Sequence, residues 1–413
     1  MSRPGSTPEI DIVGAGVAGS AMAIVLARVG REVVLLEKSR AHVDRVRGEF
    51  IVPWGVAEAR QLGLLDLLER AGGNYTVKSV PYGEGTSPEQ ARAATLAMDR
   101  IVPDVRGALN LGHPRLCDTL NAVAVKAGVT LLRGIERLQV TPGHPPQIAF
   151  ERDGESEILT PKLIVGADGR NSAVARQAGF ERLSDPVHHF FTGLLVEGAD
   201  AWPSDEQSMG VDGDIGFYVL PQGQGRIRLY AAHSMEQRQR FAGEGAVERF
   251  LAAFDCPSLP QGKHLAAARP AGPCQGYPNN EVWIDVPVAP GVVLIGDAAG
   301  HSDPAGGQGI SIAFRDVRLV AAALATDAAW TPDAFADYVA ERRELMRRLR
   351  FSTRLLAVFR MEFTDEARQR RARVRARVAA APELGFPFAA FQKGPFAVPA
   401  EAFAQSTWDR ILN

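Results

Sequence analysis

The stretch from Ile10 to Ser39 constrains the fold of this chain more than any other. It reads IDIVGAGVAGSAMAIVLARVGREVVLLEKS: a short apolar strand, a glycine turn, an alanine-rich helical segment and a second apolar strand that ends in Glu37. Gly14, Gly16 and Gly19 form a G-x-G-x-x-G, and the acid follows at about the expected 20-residue spacing. In this motif the first glycine permits the sharp turn, the second lets backbone amides approach a pyrophosphate, and the third lets the helix pack on the sheet. The sequence therefore predicts a dinucleotide-binding unit.

The acid at the end of the second strand indicates which dinucleotide is resident. A carboxylate at Glu37 can accept hydrogen bonds from an adenosine ribose diol, whereas it would repel a second phosphate there. The helix N-terminus meets the pyrophosphate charge. FAD or NAD is therefore favoured over NADP as the resident ligand.

Length and composition limit the alternatives. A chain of 413 residues exceeds one usual core, so two structural regions are expected within one folded unit. The formal net charge of −2 gives no general attraction to nucleic acid or to an anionic membrane. The three cysteines are scattered without C-x-x-C spacing, which is typical of reduced thiols and predicts no metal site. No apolar run is long enough to span a bilayer, so we expect a cytoplasmic protein.

Two further stretches combine a buried strand with a small-residue turn and a helix. The first is LIVGADGRNSAVAR, residues 163–176, in which Asp168 and Gly169 supply the turn. The second, PGVVLIGDAAGHSDPAGGQGISIAFRDVRLVAAAL, begins at Pro290 and exposes a helix N-terminus behind the glycines at 306, 307 and 309. Such a terminus stabilises negative charge on a ligand.

Residues 181–285 have a different character, since strand-like segments dominate and PQGQG signals a hairpin. We expect this sheet to cover a cleft and to supply the substrate contacts. The candidate catalytic residues on its strands are Tyr218, Arg226, Arg228, Tyr230 and His233, of which period-2 alternation lets only about half face the cleft. The pattern identifies no catalytic base.

Two helical predictions flank these regions. The leucines at 62, 64, 65, 67 and 68 predict the apolar face of one helix. Past Thr331 the pattern predicts one long amphipathic helix, with Leu345, Leu349 and Leu356 on its apolar side and solvated arginines opposite.

Taken together, GAGVAG with Glu37, GADGRNSAVAR, and GDAAGHSDPAGGQG with Asp316 resemble the class A flavoprotein monooxygenases of the para-hydroxybenzoate hydroxylase type. The resemblance implies an α/β fold: a Rossmann-like FAD-binding domain of the GR2 type with an inserted sheet-rich substrate domain and C-terminal helices. The implied divisions are residues 1–74, 111–180 and 286–330 for the FAD-binding parts, 75–110 for inserted strands of the substrate region, 181–285 for the substrate sheet and 331–413 for the helical region.

The same resemblance implies the cofactor contacts. Residues matching the family's motifs are Gly14, Gly16, Gly19, Glu37, Arg115, Asp168, Gly169, Asp297, Pro304, Gly306, Gly307, Gln308, Gly309 and Ile310. Ala18 and Lys38, beside the first motif and the acid, are predicted to contact the cofactor too. Arg47 follows the acid at a place where a cation could reach the pyrophosphate or the ribityl chain, with a solvated loop arginine as the alternative. The chain departs from the family at three places: Gly300 stands where histidine is frequent, Ser311 replaces asparagine, and Ala175 replaces arginine. These departures concern the fine positioning of the flavin.

The chemistry implied is reduction of FAD by NAD(P)H as a transient co-substrate, addition of O₂ to give a flavin C4a-hydroperoxide, and oxygen transfer to an aromatic or polycyclic small molecule. A second G-x-G-x-x-G is absent from the sequence, so the nicotinamide cofactor has no domain of its own. We expect a monomer or homodimer. The alternatives are a flavin halogenase, although the tryptophans stand singly without W-x-W-x-I-P, an isoprenoid reductase, or a non-catalytic flavin-binding interaction protein.

Overall fold

The computed structural model describes residues 9–326 and 329–413. Within these ranges the helices are α1 Val17–Arg28, α2 Pro53–Gln61, α3 Leu65–Arg70, α4 Pro88–Ala93, α5 His113–Lys126, α6 Ala173–Gln177, α7 Ala246–Ala252, α8 Gly262–Ala266, α9 Gly309–Thr326, α10 Ala336–Arg360, α11 Asp365–Ala380, α12 Phe386–Lys393 and α13 Gln405–Leu412. The strands are β1 Ile10–Val13, β2 Val33–Glu37, β3 Phe50–Ile51, β4 Asn74–Thr76, β5 Lys78–Val80, β6 Leu96–Ala97, β7 Ala108–Asn110, β8 Thr130–Arg133, β9 Glu136–Thr141, β10 Gln147–Arg152, β11 Glu155–Leu159, β12 Leu163–Gly166, β13 Leu183–Ser184, β14 His189–Glu197, β15 Glu206–Asp212, β16 Ile215–Gly223, β17 Arg226–Ser234, β18 Arg269–Pro270, β19 Gln275–Asn279, β20 Val282–Trp283, β21 Val288–Ala289, β22 Val292–Leu294 and β23 Gly300–His301.

A six-stranded sheet in the order β21-β22-β12-β1-β2-β8 forms the centre of the molecule. All neighbours in it are parallel except β21 and β22. Apolar residues on one face pack with α1, α5 and α9, whereas the other face packs against the small sheet β9–β11. Because β1, β12 and β22 are adjacent and parallel, the three glycine-containing motifs that follow them meet at one edge of the sheet.

A second, mostly antiparallel sheet contains β18, β14, β17, β16, β15, β5 and β6 in that order, with β19 paired to β14. One face packs against α7 and α8 through residues such as Phe217, Leu229 and Phe250. Alternate residues on the other face, including Tyr218 and Tyr230, belong to a separate core shared with α10. Within the segment 75–110, β5 and β6 join this sheet, while β7 pairs with β3 and β4.

The prediction of one helix along Leu62–Leu68 was wrong, because two helices, α2 and α3, occupy this region. The chain turns between them at Gly63, whose φ of +64° lies in the left-handed region that glycine favours. The leucine pattern is continuous across the turn because Leu62 and Leu64, on either side of it, pack in the same core as the leucines of α3.

The prediction of one long C-terminal helix with a solvated arginine face was also wrong. α10 ends at Arg360, and α11 begins after Thr364, whose Oγ1 accepts a hydrogen bond from the amide of Ala367 at 3.1 Å. Arg342 and Arg371 are buried in ion pairs. Among the described residues, no helix combines the length and the apolar character needed to cross a membrane.

Candidate active site

A cavity of about 660 Å³ lies where the carboxyl ends of the central strands meet the inner face of the second sheet. This volume is within the range of about 300–1,000 Å³ for small-molecule and cofactor sites. The predicted cofactor residues that line it are Gly14, Gly16, Ala18, Glu37, Lys38, Arg47, Asp168, Gly169, Asp297, Pro304, Gly307, Gln308, Gly309 and Ile310. Segments far apart in the sequence thus surround one space.

The three glycines of the first motif have different roles in the structure. A Cβ on Gly14 would lie 2.4 Å from the carbonyl oxygen of Ala167, and one on Gly19 would lie 1.9 Å from the carbonyl oxygen of Gly14. Both glycines are therefore required by backbone packing. A Cβ on Gly16 would meet nothing within 4 Å, so among the three glycines of this motif only Gly16 borders open space.

We expect Gly16→Val to fold normally but to lose FAD affinity by at least about tenfold, or about 1.4 kcal/mol. The added side chain would project into the space that a pyrophosphate would use, and the φ of −73° at this position suits any residue. FAD retained after gel filtration and the thermal unfolding of the apoprotein measure the two effects. Gly19→Ala is the matched control, in which the apoprotein itself should be destabilised; a normal FAD content in Gly16→Val would contradict the assignment.

Glu37 holds the glycine turn in place as well as facing the cavity. Its Oε2 accepts a hydrogen bond from the amide of Ala15 at 2.8 Å, and its Oε1 accepts one from the amide of Ser39, also at 2.8 Å. The sequence predicted only its role toward a ribose. Because each carboxylate oxygen has two lone pairs, capacity for a ligand remains.

Asp168 accepts hydrogen bonds from the start of α6, the helix that follows its turn. Its Oδ1 accepts a hydrogen bond from Ser172 Oγ at 2.5 Å, and its Oδ2 accepts one from the amide of Ala173 at 2.6 Å. The neighbouring Gly169 has a φ of +80° and borders open space. Asp168 therefore fixes the shape of this turn, while Gly169 leaves room for a ligand.

Two arginines give this part of the cavity a positive potential. The Nε of Arg170 lies 3.5 Å from Oδ2 of Asp297. Burial and the nearby Arg170 guanidinium lower the pKa of Arg47, which has no ion-pair partner within 4 Å in the described part of the chain. The sequence prediction missed Arg170, although it lies within the GADGR motif. This arrangement favours an anionic group between Arg47 and Arg170.

Three predicted cofactor residues lie outside the cavity lining. Arg115 is exposed on α5, and its guanidinium packs next to Gly72. Gly19 packs against the glycine turn, as described above. Gly306 lies against the ring of Phe391: a Cβ added at this glycine would lie 2.7 Å from a ring carbon.

The other end of the cavity is apolar and aromatic. Phe50, Phe191, Met209, Tyr218, Leu220, Tyr230 and Tyr277 line it. Each tyrosine hydroxyl donates to a protein oxygen: Tyr218 to Ala305 O at 3.0 Å, Tyr277 to Val46 O at 3.2 Å, and Tyr230 to Glu49 Oε2 at 3.2 Å. Burial raises the pKa of all three, that of Tyr277 to about 12. These side chains therefore stay protonated near neutral pH and do not act as bases there.

Arg228 is fully buried and neutralised by carboxylates. Its Nε lies 2.5 Å from Glu49 Oε2, and one terminal nitrogen lies 2.9 Å from Glu49 Oε1 and 2.7 Å from Asp44 Oδ2. The sequence singled out Arg228 but not Glu49, which lines the cavity. The arginine is therefore engaged within the protein.

Three of the predicted catalytic residues, Arg226, Arg228 and His233, do not line the cavity. Arg226 is exposed where β17 begins. His233 lies on the opposite face of β17 from Tyr230, with Nε2 3.2 Å from Thr192 Oγ1 and its ring 5.2 Å from that of Phe241. Burial lowers the pKa of His233 to about 4. Strand alternation thus separates Tyr218, Tyr230 and Arg228 from His233.

The profile of a known family, described as FAD binding domain, matches residues 7–351, which is most of the chain. The chain belongs to this family. FAD is therefore its cofactor, as the sequence predicted, and the resemblance to class A flavoproteins is confirmed.

Relatives with curated functions extend this comparison. The chain is 28% identical over 320 residues to a squalene epoxidase of Aspergillus fumigatus, covering 75% of this chain and 64% of that protein. It is 28% identical over 330 residues to digeranylgeranylglycerophospholipid reductase 1 of Methanococcoides burtonii, covering 78% and 74%. The chain thus spans less than two thirds of the length of the squalene epoxidase that it matches.

Solved structures share the fold. A p-nitrophenol 4-monooxygenase from Pseudomonas putida superposes with a TM-score of 0.74 at 17% identity, covering 98% of this chain and 97% of that one. CmlS, a flavin-dependent halogenase, gives a TM-score of 0.73 at 19% identity, covering 92% and 73%. These similarities confirm the predicted α/β fold with its additional sheet and C-terminal helices.

Proposed function

We propose that this protein is an FAD-dependent monooxygenase that uses NAD(P)H and O₂ to oxygenate an uncharged, largely apolar small molecule, aromatic or polycyclic. The observation that carries the proposal is the continuity of the cavity. Its glycine-lined end suits a dinucleotide, and its opposite end is an aromatic pocket of the second sheet. One enclosed space would therefore hold the flavin and a substrate together.

The residues present fit FAD. The open space at Gly16 and Gly169 leaves room for its pyrophosphate, and Glu37 has free lone pairs for its ribose. Asp297 and the first turn of α9, from Gly309, line the same cavity and would contact the remainder of the cofactor. When bound and reduced, FAD would supply the activation of O₂. The protein residues would bind, orient and exclude water.

The substrate class follows from the state of the polar groups around the aromatic end. The buried cation on the sheet, Arg228, is already bonded to Glu49 and Asp44, and the three tyrosine hydroxyls are engaged. The sheet itself therefore offers no free cation to an anionic substrate. The apolar rings instead favour a neutral hydrocarbon or aromatic framework.

Reduction of isoprenoid double bonds is a second candidate. The similarity to the archaeal reductase and to squalene epoxidase favours an isoprenoid substrate for this pocket. A reductase would consume reducing equivalents without O₂. The two activities are therefore distinguished by oxygen dependence.

The test is anaerobic stopped-flow reduction of the FAD-loaded protein by NADPH and by NADH. Phenolic, polycyclic and isoprenoid compounds would be added in turn, followed by isotopically labelled O₂. We expect a substrate to accelerate reduction, and mass spectrometry to find one labelled oxygen in the product. Absence of reduction by either nucleotide under all conditions would overturn the single-component monooxygenase. A product saturated without added oxygen would establish the reductase instead.

A further inference from the structure

A buried polar cluster lies behind the loop that connects β23 to α9. Its members are Glu281, Ser302, Asp303 and His189, all less than 9% exposed, from three separate segments of the chain. None of them has a role in the cofactor or substrate contacts described above, except that Ser302 also lines the cavity. The cluster is therefore a polar connection between the cavity and the interior.

The cavity end of this connection is direct. The hydroxyl of Ser302 lies 3.2 Å from Glu281 Oε1 and can donate to it. Glu281 Oε2 has no hydrogen-bond partner among the described residues. A proton on this carboxyl is thus one hydroxyl away from the cavity.

The outer end of the connection reaches the surface. Asp303 Oδ1 lies 3.5 Å from Nε2 of His189, whose ring centroid is 5.5 Å from that of His188. His188 Nε2 lies 3.4 Å from Glu362 Oε1, and both of these side chains are about one third exposed. Titratable groups therefore lie in series from solvent to the cavity, joined at His189 by an ion-pair contact with Asp303 and a ring contact with His188.

We propose that this series is a proton path to the active-site cavity, in which Ser302 is the inner terminus and Glu281 with Asp303 is the buried proton store. The proposal rests on the proposed function. NAD(P)H delivers two electrons and one proton as hydride, and one oxygen atom of O₂ leaves as water, so each turnover consumes one further proton. A site from which bound FAD and substrate exclude bulk water needs a route for that proton.

The transfer is a proton exchange without change of oxidation state. The Glu281 carboxyl gives its proton to Ser302 Oγ as the hydroxyl passes its own proton to a basic atom in the cavity. The resulting Glu281 carboxylate is reprotonated by way of Asp303, His189 and His188, and solvent supplies the proton at Glu362. Ser302, which faces the cavity, would be the catalytic residue, and Glu281 would act through it.

The charges around Glu281 are consistent with a proton store. Burial and the nearby Asp303 carboxylate raise the pKa of Glu281 to about 8, while burial lowers the pKa of His189. The nearby cation on α10, Arg350, stacks on Trp283 at 3.2 Å and lies 3.5 Å from Asp185. At neutral pH the Glu281 carboxyl therefore holds a proton.

The test compares FAD-loaded wild type with Glu281→Gln by infrared spectroscopy and by stopped flow. We expect a carbonyl band of a protonated carboxyl at pH 7 that is absent from Glu281→Gln and disappears from the wild type above pH 8. Reduction by NAD(P)H should be unchanged, whereas the subsequent reaction with O₂ and substrate should slow at least about tenfold, with a flatter pH profile. The buried Asp11 carboxyl contributes equally to both proteins and cancels in the difference spectrum.

Two further variants test the inner end of the path and provide a control. Ser302→Ala should slow the oxidative reaction while retaining the Glu281 band. Glu206→Gln is the matched control, because that half-buried glutamate bonds to Tyr82 on the second sheet and lies outside the path. Wild-type oxidative rates and pH profile in Glu281→Gln and Ser302→Ala would overturn the path. Failure of nicotinamide to reduce any of the proteins would instead refute the proposed function, while the infrared comparison would still report on Glu281.

Discussion

Replacing Arg342 by leucine is expected to lower the free energy of unfolding by about 3–5 kcal/mol at pH 7. Arg342 and Asp316 are almost fully buried, and one guanidinium nitrogen lies 2.9 Å and 2.6 Å from the two carboxylate oxygens. The other nitrogen donates to the carbonyl oxygens of Gly300 at 2.9 Å and Gly296 at 3.2 Å. The substitution would leave a carboxylate without a counter-ion in the protein interior and release the loop that carries Asp297.

Urea unfolding of the apoprotein measures this loss. Even with Arg342 present, burial raises the pKa of Asp316 to about 6, so removal of the cation should raise it further. The loss of unfolding free energy caused by Arg342→Leu should therefore become smaller as the pH falls and the Asp316 carboxyl becomes protonated. Arg347→Leu on the same helix is the control, because Arg347 pairs with Glu344 at the surface and should cost less than about 1 kcal/mol. A second substitution, Asp316→Leu, should recover part of the loss; strictly additive losses would contradict the account.

Replacing Asp11 by valine is expected to raise the free energy of unfolding at pH 8 by about 2–4 kcal/mol. Asp11 lies in β1 with no exposed surface, and neither carboxylate oxygen has a hydrogen-bond partner among the described residues. Burial raises its pKa from 3.8 to about 7. Ionisation is therefore less favourable in the folded protein than in the unfolded chain.

The sign of the pH dependence follows from the two pKa values. Between about pH 4 and pH 7 the folded state binds more protons at this site, so the wild type loses stability as the pH rises and stays at the lower level above pH 7. Asp11→Val removes this contribution, so its advantage in urea unfolding should be larger at pH 8 than at pH 5. Asp11→Asn is the control for size and polarity. An equal gain from valine at both pH values would show that ionisation is not the cause.

The cofactor end of the site was predictable because its signals are local. Glycine turns after apolar strands identify the ends of β1, β12 and β22, and parallel pairing brings those ends together. The side-chain partners were less predictable. The hydrogen bonds that Glu37 accepts from the turn depend on the loop geometry, and the pairing of Glu49 with Arg228 joins residues 179 positions apart.

Several side chains that the sequence singled out lie away from the place expected for them, because the pattern does not report which way a side chain points. Arg115 lies on a predicted helix, but the rotation of α5 turns it to solvent. His233 lies on a predicted strand, but alternation places it away from the cavity. The arginines of α10 look like a solvated face because the partner of Arg342, Asp316, belongs to another helix.

The order of strands in the central sheet has a consequence for biosynthesis. β1 is translated first, yet it lies inside the sheet, and β22 on the far side of β12 comes from residues 292–294. At about 5–20 residues per second, the ribosome needs on the order of 15–60 s to extend the nascent chain from the first motif to the third. During that interval the edge of β12 that later pairs with β22 has no partner and the third motif is absent, so flavin capture is a late event in the maturation of the chain.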